Sequence, residues 1–254
     1  MIKIKRATCP PDLNKPDIDF VKGDYTKESV KSALFEMQHN KCCYCERRIR
    51  GTDCLPPEVD HYVPRSTFKD LNGDIQWHLA NKWDNLLYSC RLCNGTKLGK
   101  PTHNESTGEL EIINPSDTDI DPEDHIEFIV DGVILSHNEK NGSYSGSKTI
   151  QNLKLRERKD LTSKFRLIRN EIEKEFMKLI NAIEVDNTIQ IASILSELRK
   201  TMSAHQELSA FCRCFICKRL KSLNESDLPQ LEAALVRDID EINIQFPTGA
   251  EVVL

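Results

Sequence analysis

The sequence predicts an α+β fold, mainly α, and three observations carry that prediction. Two Cys-x-x-Cys pairs, Cys42/Cys45 and Cys90/Cys93, bracket a short alternating stretch and mark a small metal-stapled core. Two apolar runs joined by Asp131-Gly132 predict an added β-hairpin. From about Ser147 onward the apolar residues recur with the period of a helix. The 254 residues therefore divide into an N-terminal arm and packing helix (1–40), a cysteine-stapled core (41–104), an acidic loop with the hairpin (105–146) and a C-terminal helical region (147–254).

With 39% hydrophobic and 30% charged residues, the chain is long enough to bury a core. No run approaches the roughly 18 apolar residues of a membrane span, so no membrane partner is expected. The opening MIKIKRATCP has basic residues but no apolar stretch after them, which is not the pattern of a secretory signal. A cytoplasmic location is the expectation.

The arm comes first. Residues 9–24, rich in Pro and Asp, predict an irregular segment. In TKESVKSALFEMQHN, Val30, Ala33, Leu34 and Met37 fall at i, i+3, i+4 and i+7 behind a candidate N-cap, Thr26. That stripe predicts a helix that braces the cysteine core.

A two-residue gap lets both sulfurs of a pair turn toward one ion about 2.3 Å away, so Cys42, Cys45, Cys90 and Cys93 suit a closed tetrahedral Zn²⁺ site. Zinc is favoured over two disulfides because a chain without a secretory signal belongs in a reducing compartment. Cys43 would leave one residue between itself and Cys45, so Cys42 is assigned as the ligand and Cys43 as a packed neighbour. A zinc closed by four thiolates has no open position, so any chemistry must lie elsewhere inside the bracket.

Inside it, PEVDHYVPRS alternates Val59, His61 and Val63 with Asp60 and Tyr62 and predicts a short strand stopped by Pro64. Adjacent strand residues face opposite sides, so Asp60 and His61 need a twist or a strand end to serve one site. A polar insertion (69–74) and KWDNLLYSC follow, and then a helix from about Arg91 that holds Asn94 in its first turns.

The Asp60-His61 dipeptide, Asn85 in WDNL, and Asn94 in CxxCN with Lys97 three residues on together resemble the HNH endonuclease family in its zinc-stapled form. The resemblance implies a ββα-metal core around one catalytic ion. Position by position, it implies His61 as the general base, and Asp60 and Asn94 as the residues that hold Mg²⁺ or Mn²⁺. Asn85 would orient the loop and the histidine, and Lys97 would lie near the substrate backbone. The assignment is chemically coherent: neutral imidazole accepts a proton from water near pH 7, and oxygen ligands suit a hard cation. Asn94 stands where many members of the family have His, which leaves metal preference open.

The net charge of −5 hides a pattern. Residues 41–100 carry ten Lys or Arg against seven Asp or Glu, and residues 140–182 eleven against five. Residues 101–139 carry eleven acids and no Lys or Arg. Basic stretches can follow a phosphate backbone while acidic ones stay outside it, so the nucleic acid is expected across Arg47, Arg48, Arg50, Arg65, Arg91, Lys97 and Lys100. The acidic PSDTDIDPED lacks the spacing of a calcium loop and reads as a solvated loop.

In the helical region, Leu161, Phe165, Ile168, Ile172, Phe176, Leu179 and Ile183 form one stripe, and further helices are expected near 188–201 and 204–222. Cys212, Cys214 and Cys217 invite a second metal, but no fourth ligand stands near and Phe211, Phe215, Ile216 and Leu220 surround them. Buried thiols are the favoured reading. These helices and the tail EINIQFPTGAEVVL form either core or a docking surface.

IKIKRA, the KCxYCE knuckle, the acidic loop and hairpin, and TIQNLKL together narrow the resemblance, over about residues 1–170. They look like the HNH nuclease subunit of Septu-type anti-phage defence modules, including those carried by some retrons. That resemblance implies an ATPase subunit as partner, and in the retron case a reverse transcriptase with its RNA–DNA product. Two functions are carried forward: a metal-dependent phosphodiesterase, and a zinc-stapled binding or adaptor module. Both DNA and RNA remain open as substrate, since they present the same phosphodiester.

Overall fold

The computed structural model describes residues 1–49, 56–131 and 134–222. Arg50, Gly132 of the hairpin turn and the tail from 223 lie outside the described residues. In chain order the elements are α1 (Glu28–Met37), β1 (Pro57–His61), α2 (Trp77–Ala80), β2 (Leu86–Cys90), α3 (Arg91–Lys97), α4 (Pro122–His125), β3 (Ile126–Asp131), β4 (Ile134–Glu139), α5 (Tyr144–Asn152), α6 (Lys159–Glu184), α7 (Thr188–Met202) and α8 (Ser209–Leu220). β1 pairs with β2 and β3 with β4, two small sheets in an α+β chain dominated by helix. No helix among the described residues is long and apolar enough to cross a membrane.

The chain forms two compact units, Met1–Ile126 with Glu139–Leu155, and Glu127–Asn138 with the chain from Arg156 onward. Most of the β3–β4 hairpin thus falls with the long helices, where the sequence reading grouped it with the acidic loop.

The first unit is built on the antiparallel β1–β2 pair, in a register that runs from Pro57 opposite Cys90 to His61 opposite Leu86. Every residue of β2 is buried. Among the described residues its outer edge has no neighbouring strand, and the backbone groups there find other partners. Gln38, just past α1, supplies them: its amide accepts from Tyr88 N at 2.9 Å and donates to Tyr88 O at 2.6 Å. Cys43 N donates to the same carbonyl at 3.1 Å. This fixes α1, with Val30 and Leu34 fully buried, against the cysteine knuckle.

Two expectations for the arm are refined. Residues 9–24 contain short 3₁₀ turns, Pro11–Leu13 and Asp17–Asp19, with a third at Asp24–Thr26. Thr26 is not the N-cap of α1: Lys27 holds that position, and the Thr26 hydroxyl donates instead to Gly23 O at 2.6 Å. The acidic loop folds its carboxylates onto its own backbone, with Asp117 accepting from Asp119 N and Asp121 from Glu123 N, which also caps α4.

Arg6 pins the approach to β2. Its guanidinium donates to the carbonyls of Trp83 (3.0 Å), Asp84 (2.8 Å) and Leu86 (2.6 Å) and to Ser116 Oγ (2.9 Å). Burial lowers its pKa to about 10, which leaves it protonated at neutral pH.

In the second unit α6 buries Leu161, Phe165, Ile172, Phe176 and Leu179, the predicted stripe, while Ile168 and Ile183 are half-buried. Phe165 stacks on Phe211 of α8 with ring centroids 4.4 Å apart, and Phe128 of β3 meets both edge-on. Each fully buried ring of this kind contributes roughly 1.5–3 kcal/mol. Cys212 is buried, but Cys214, whose Sγ donates to Phe128 O at 3.8 Å, and Cys217 are only half-buried, and among the described residues the three belong to no metal-binding cluster.

Candidate functional site

The four cysteines assigned as ligands meet. Cys42, Cys45, Cys90 and Cys93 are all buried, and their sulfurs lie within 4.8 Å of one another. Cys45 Sγ and Cys90 Sγ are 3.8 Å apart, about the edge of a tetrahedron with 2.3 Å zinc–sulfur bonds. Cys42 and Cys45 sit on a tight knuckle, with Glu46 N donating to Cys42 O at 3.0 Å and Glu46 in the left-handed region at φ 56°. Cys90 ends β2, and its sulfur caps α3 by accepting from Cys93 N. Cys43, also buried, stays outside the cluster.

The donor set fits a divalent metal. The thiols of Cys42, Cys45 and Cys93 hydrogen-bond to Cys90 and hold it far below the ordinary thiol range. Cys42 is pushed up chiefly by burial, Cys45 and Cys93 chiefly by their thiol neighbours. A divalent ion such as zinc would let all four ionise.

One strand away, β1 carries Asp60 and His61 to opposite sides. Asp60, 3% exposed, turns toward α3 and the knuckle. Its Oδ2 accepts from Tyr44 OH at 2.5 Å and its Oδ1 from Lys97 Nζ at 3.1 Å. Burial, and then the Asp60 charge, push the Tyr44 pKa well up, so the phenol stays a donor. Lys97 also donates to His61 O at 2.7 Å.

His61 is the last residue of β1, which ends before the Pro64 expected to stop it. Its Nε2 lies 2.8 Å from Ala80 O, and a carbonyl can only accept, so Nε2 carries the proton and Nδ1 the free lone pair. Burial lowers the His61 pKa to about 4, with Arg65 adding to the effect and the Ala80 carbonyl opposing it. The ring of Tyr25 meets the imidazole edge-on at 4.7 Å, and Arg65 donates to Tyr25 OH at 2.8 Å.

Asn85 clamps the segment after His61. Val63 N donates to Asn85 Oδ1 at 2.7 Å, Asn85 Nδ2 donates to Val63 O at 3.0 Å, and Tyr62 N donates to Asn85 O at 2.9 Å. Asn94, half-exposed on α3, donates from Nδ2 to Glu58 Oε2 at 2.8 Å. The fold therefore gathers Glu58 and Asp60 of β1 with Asn94 and Lys97 of α3, and directs the His61 ring elsewhere, toward Ala80 and Tyr25.

The basic residues divide. Arg65 and Arg91 are exposed, and Arg48 and Lys100 are half-buried. Arg47 and Lys97 are buried, at 6% and 3% exposure, unlike the other expected contacts among the described residues. Four contacting residues were missed in the sequence. Glu58 had a signal, since two residues before Asp60 on a strand means the same face. Tyr25 and Tyr44 reach the site from 36 and 16 positions away, and Arg6 pins the backbone on either side of Asn85 from about 80 away; none leaves a local pattern.

Fold and site together define an α+β protein with a four-cysteine ββα unit that presents an Asp-His pair and two asparagines. Among known proteins, the chain is similar to Septu protein PtuB of Bacillus mycoides (strain KBAB4), with 29% identity over 244 residues spanning 80% of each chain. It is also similar to Septu protein PtuB of Bacillus thuringiensis, with 35% identity over 136 residues, 50% of this chain and 46% of that one. No family model and no solved structure matches.

Proposed function

We propose that the protein is a metal-dependent HNH endonuclease that hydrolyses phosphodiester bonds of nucleic acid as a subunit of a Septu-type anti-phage defence module. It acts in the cytoplasm with an ATPase subunit and, where a retron carries the module, with the reverse transcriptase and its RNA–DNA product. The likeness to two Septu proteins supports the module.

The observation that carries the enzymatic reading is His61. Buried, neutral at pH 7 and with Nε2 committed to Ala80, it keeps Nδ1 as the one basic nitrogen able to take a proton from water. Asn85 holds the chain that follows it. Asp60 and Asn94 would hold the Mg²⁺ or Mn²⁺. Their donors are hard oxygens, the kind such an ion takes. Such an ion supplies charge stabilisation to the phosphate and the leaving oxygen. Arg65, Arg91, Lys100 and Arg48 remain as contacts for the nucleic-acid backbone.

A zinc-stapled nucleic-acid-binding or adaptor module is the second reading, and one observation favours it: Asp60 is buried with both oxygens engaged. Cleavage of plasmid DNA and of total cellular RNA with Mg²⁺ or Mn²⁺, by the protein co-purified with its genomic neighbour, separates the two. Activity lost in a zinc-retaining His61→Ala variant supports the nuclease. Equal activity in both, or none in either with partner and trigger supplied, sinks it.

A further inference from the structure

We infer that Glu58 is a positioning residue that sets the amide of Asn94 so that its oxygen, not its nitrogen, faces the catalytic cation; the inference rests on the nuclease reading above. Glu58 stands two residues before Asp60 on β1, on the face that meets α3, and its Oε2 lies 2.8 Å from Asn94 Nδ2.

An asparagine amide can turn either end toward a ligand, and only its oxygen can bind a metal. A carboxylate accepts and does not donate, so Glu58 takes the Nδ2 end, which leaves Oδ1 as the end for a cation. Arg91 Nε, 3.7 Å from Glu58 Oε1 and largely exposed, adds little to this. The carboxylate thus does for Asn94 what outer partners do for ligands in metal sites generally: it selects the donor atom and removes a rotation that would otherwise be frozen on binding. Asn94 supplies no charge, so its orientation is all it contributes, and Glu58 controls that orientation.

The test is Mn²⁺ binding to the zinc-loaded full chain, followed by electron paramagnetic resonance of free Mn²⁺, in wild type, Glu58→Ala, Glu58→Gln and Asp60→Ala. Glu58→Ala is expected to weaken Mn²⁺ binding by about 10–100-fold, the usual cost of losing an outer partner of a metal ligand. Glu58→Gln is expected to recover most of it, because the glutamine oxygen still accepts from Nδ2. In parallel, proton exchange at the Asn94 side-chain amide should be slow in wild type and Glu58→Gln and fast in Glu58→Ala. Unchanged Mn²⁺ affinity in Glu58→Ala, with Asp60→Ala weakened, overturns the role given to Glu58 and leaves the nuclease reading standing. Loss in Glu58→Gln equal to that in Glu58→Ala also overturns it, since the charge rather than the acceptor would then matter. No uptake by wild type, with all four proteins alike, sinks the metal site itself and this proposal with it.

Discussion

Lys97 Nζ lies 3.1 Å from Asp60 Oδ1, and the two side chains are each 4% exposed. At that depth water screens the pair little, and removing either partner strands a charge in the interior. Lys97→Met is therefore expected to cost about 3–5 kcal/mol, read from urea unfolding of the zinc-loaded protein. Adding Asp60→Asn should restore a large part of that loss. A double variant as unstable as Lys97→Met alone would show that the lysine stem, not the ion pair, carries the effect.

The pH response of His61 follows from its burial. Its folded pKa is lowered to about 4 from an ordinary value near 6.5, so the folded state binds fewer protons than the unfolded chain. Its contribution to stability is complete above about pH 6.5 and is lost as pH falls toward 4. The ring should titrate near 4 by NMR in magnesium-free protein, and, if the proposed nuclease reading holds, cleavage should keep its neutral-pH rate down to about pH 5. A midpoint near 6.5 would contradict the buried, carbonyl-bonded imidazole.

Metal content discriminates among neighbouring cysteines. Cys42→Ser and Cys90→Ser are expected to lower bound zinc below one per chain and to unfold the first unit, because binding energy at a closed site is folding energy. Cys43→Ala should keep one zinc per chain, since its sulfur lies outside the cluster. Atomic absorption with circular dichroism measures both, and zinc loss in Cys43→Ala would mean that the ligand register is shifted.

Asn85→Ala removes both side-chain hydrogen bonds to Val63. The expected cost is about 1–3 kcal/mol, together with broadening of the His61 ring signals as the strand end loosens. Asn85→Asp keeps the acceptor for Val63 N but strands the Val63 carbonyl, so it should recover only part of the loss. Wild-type His61 signals in Asn85→Ala would mean that the clamp does not position the imidazole.

Much of the fold was legible because it follows short periods. The spacing of Cys42 with Cys45 and of Cys90 with Cys93 specified which sulfurs meet, and the stripe from Leu161 to Leu179 specified the buried face of α6. The start of the helix after Cys90 and the two helices that follow α6 were also local patterns. Thr26 was misplaced as a cap because it closes a 3₁₀ turn, Asp24–Thr26, with its hydroxyl on Gly23 O, and α1 starts one residue later than the cap required.

The candidate site was legible as a set of residue types and not as a set of contacts. By itself the sequence determined the cysteine cluster and the presence of Asp60, His61, Asn85 and Asn94 inside the bracket. Tertiary structure alone decided that Lys97 and Arg47 are buried, that Asp60 answers to Tyr44 and Lys97, that Glu58 holds Asn94, and that Gln38 satisfies the edge of β2. The physical reason is separation along the chain. Periodicity records which face a residue takes, whereas these pairings join groups 16 to 50 positions apart and depend on which polar partners burial leaves within reach.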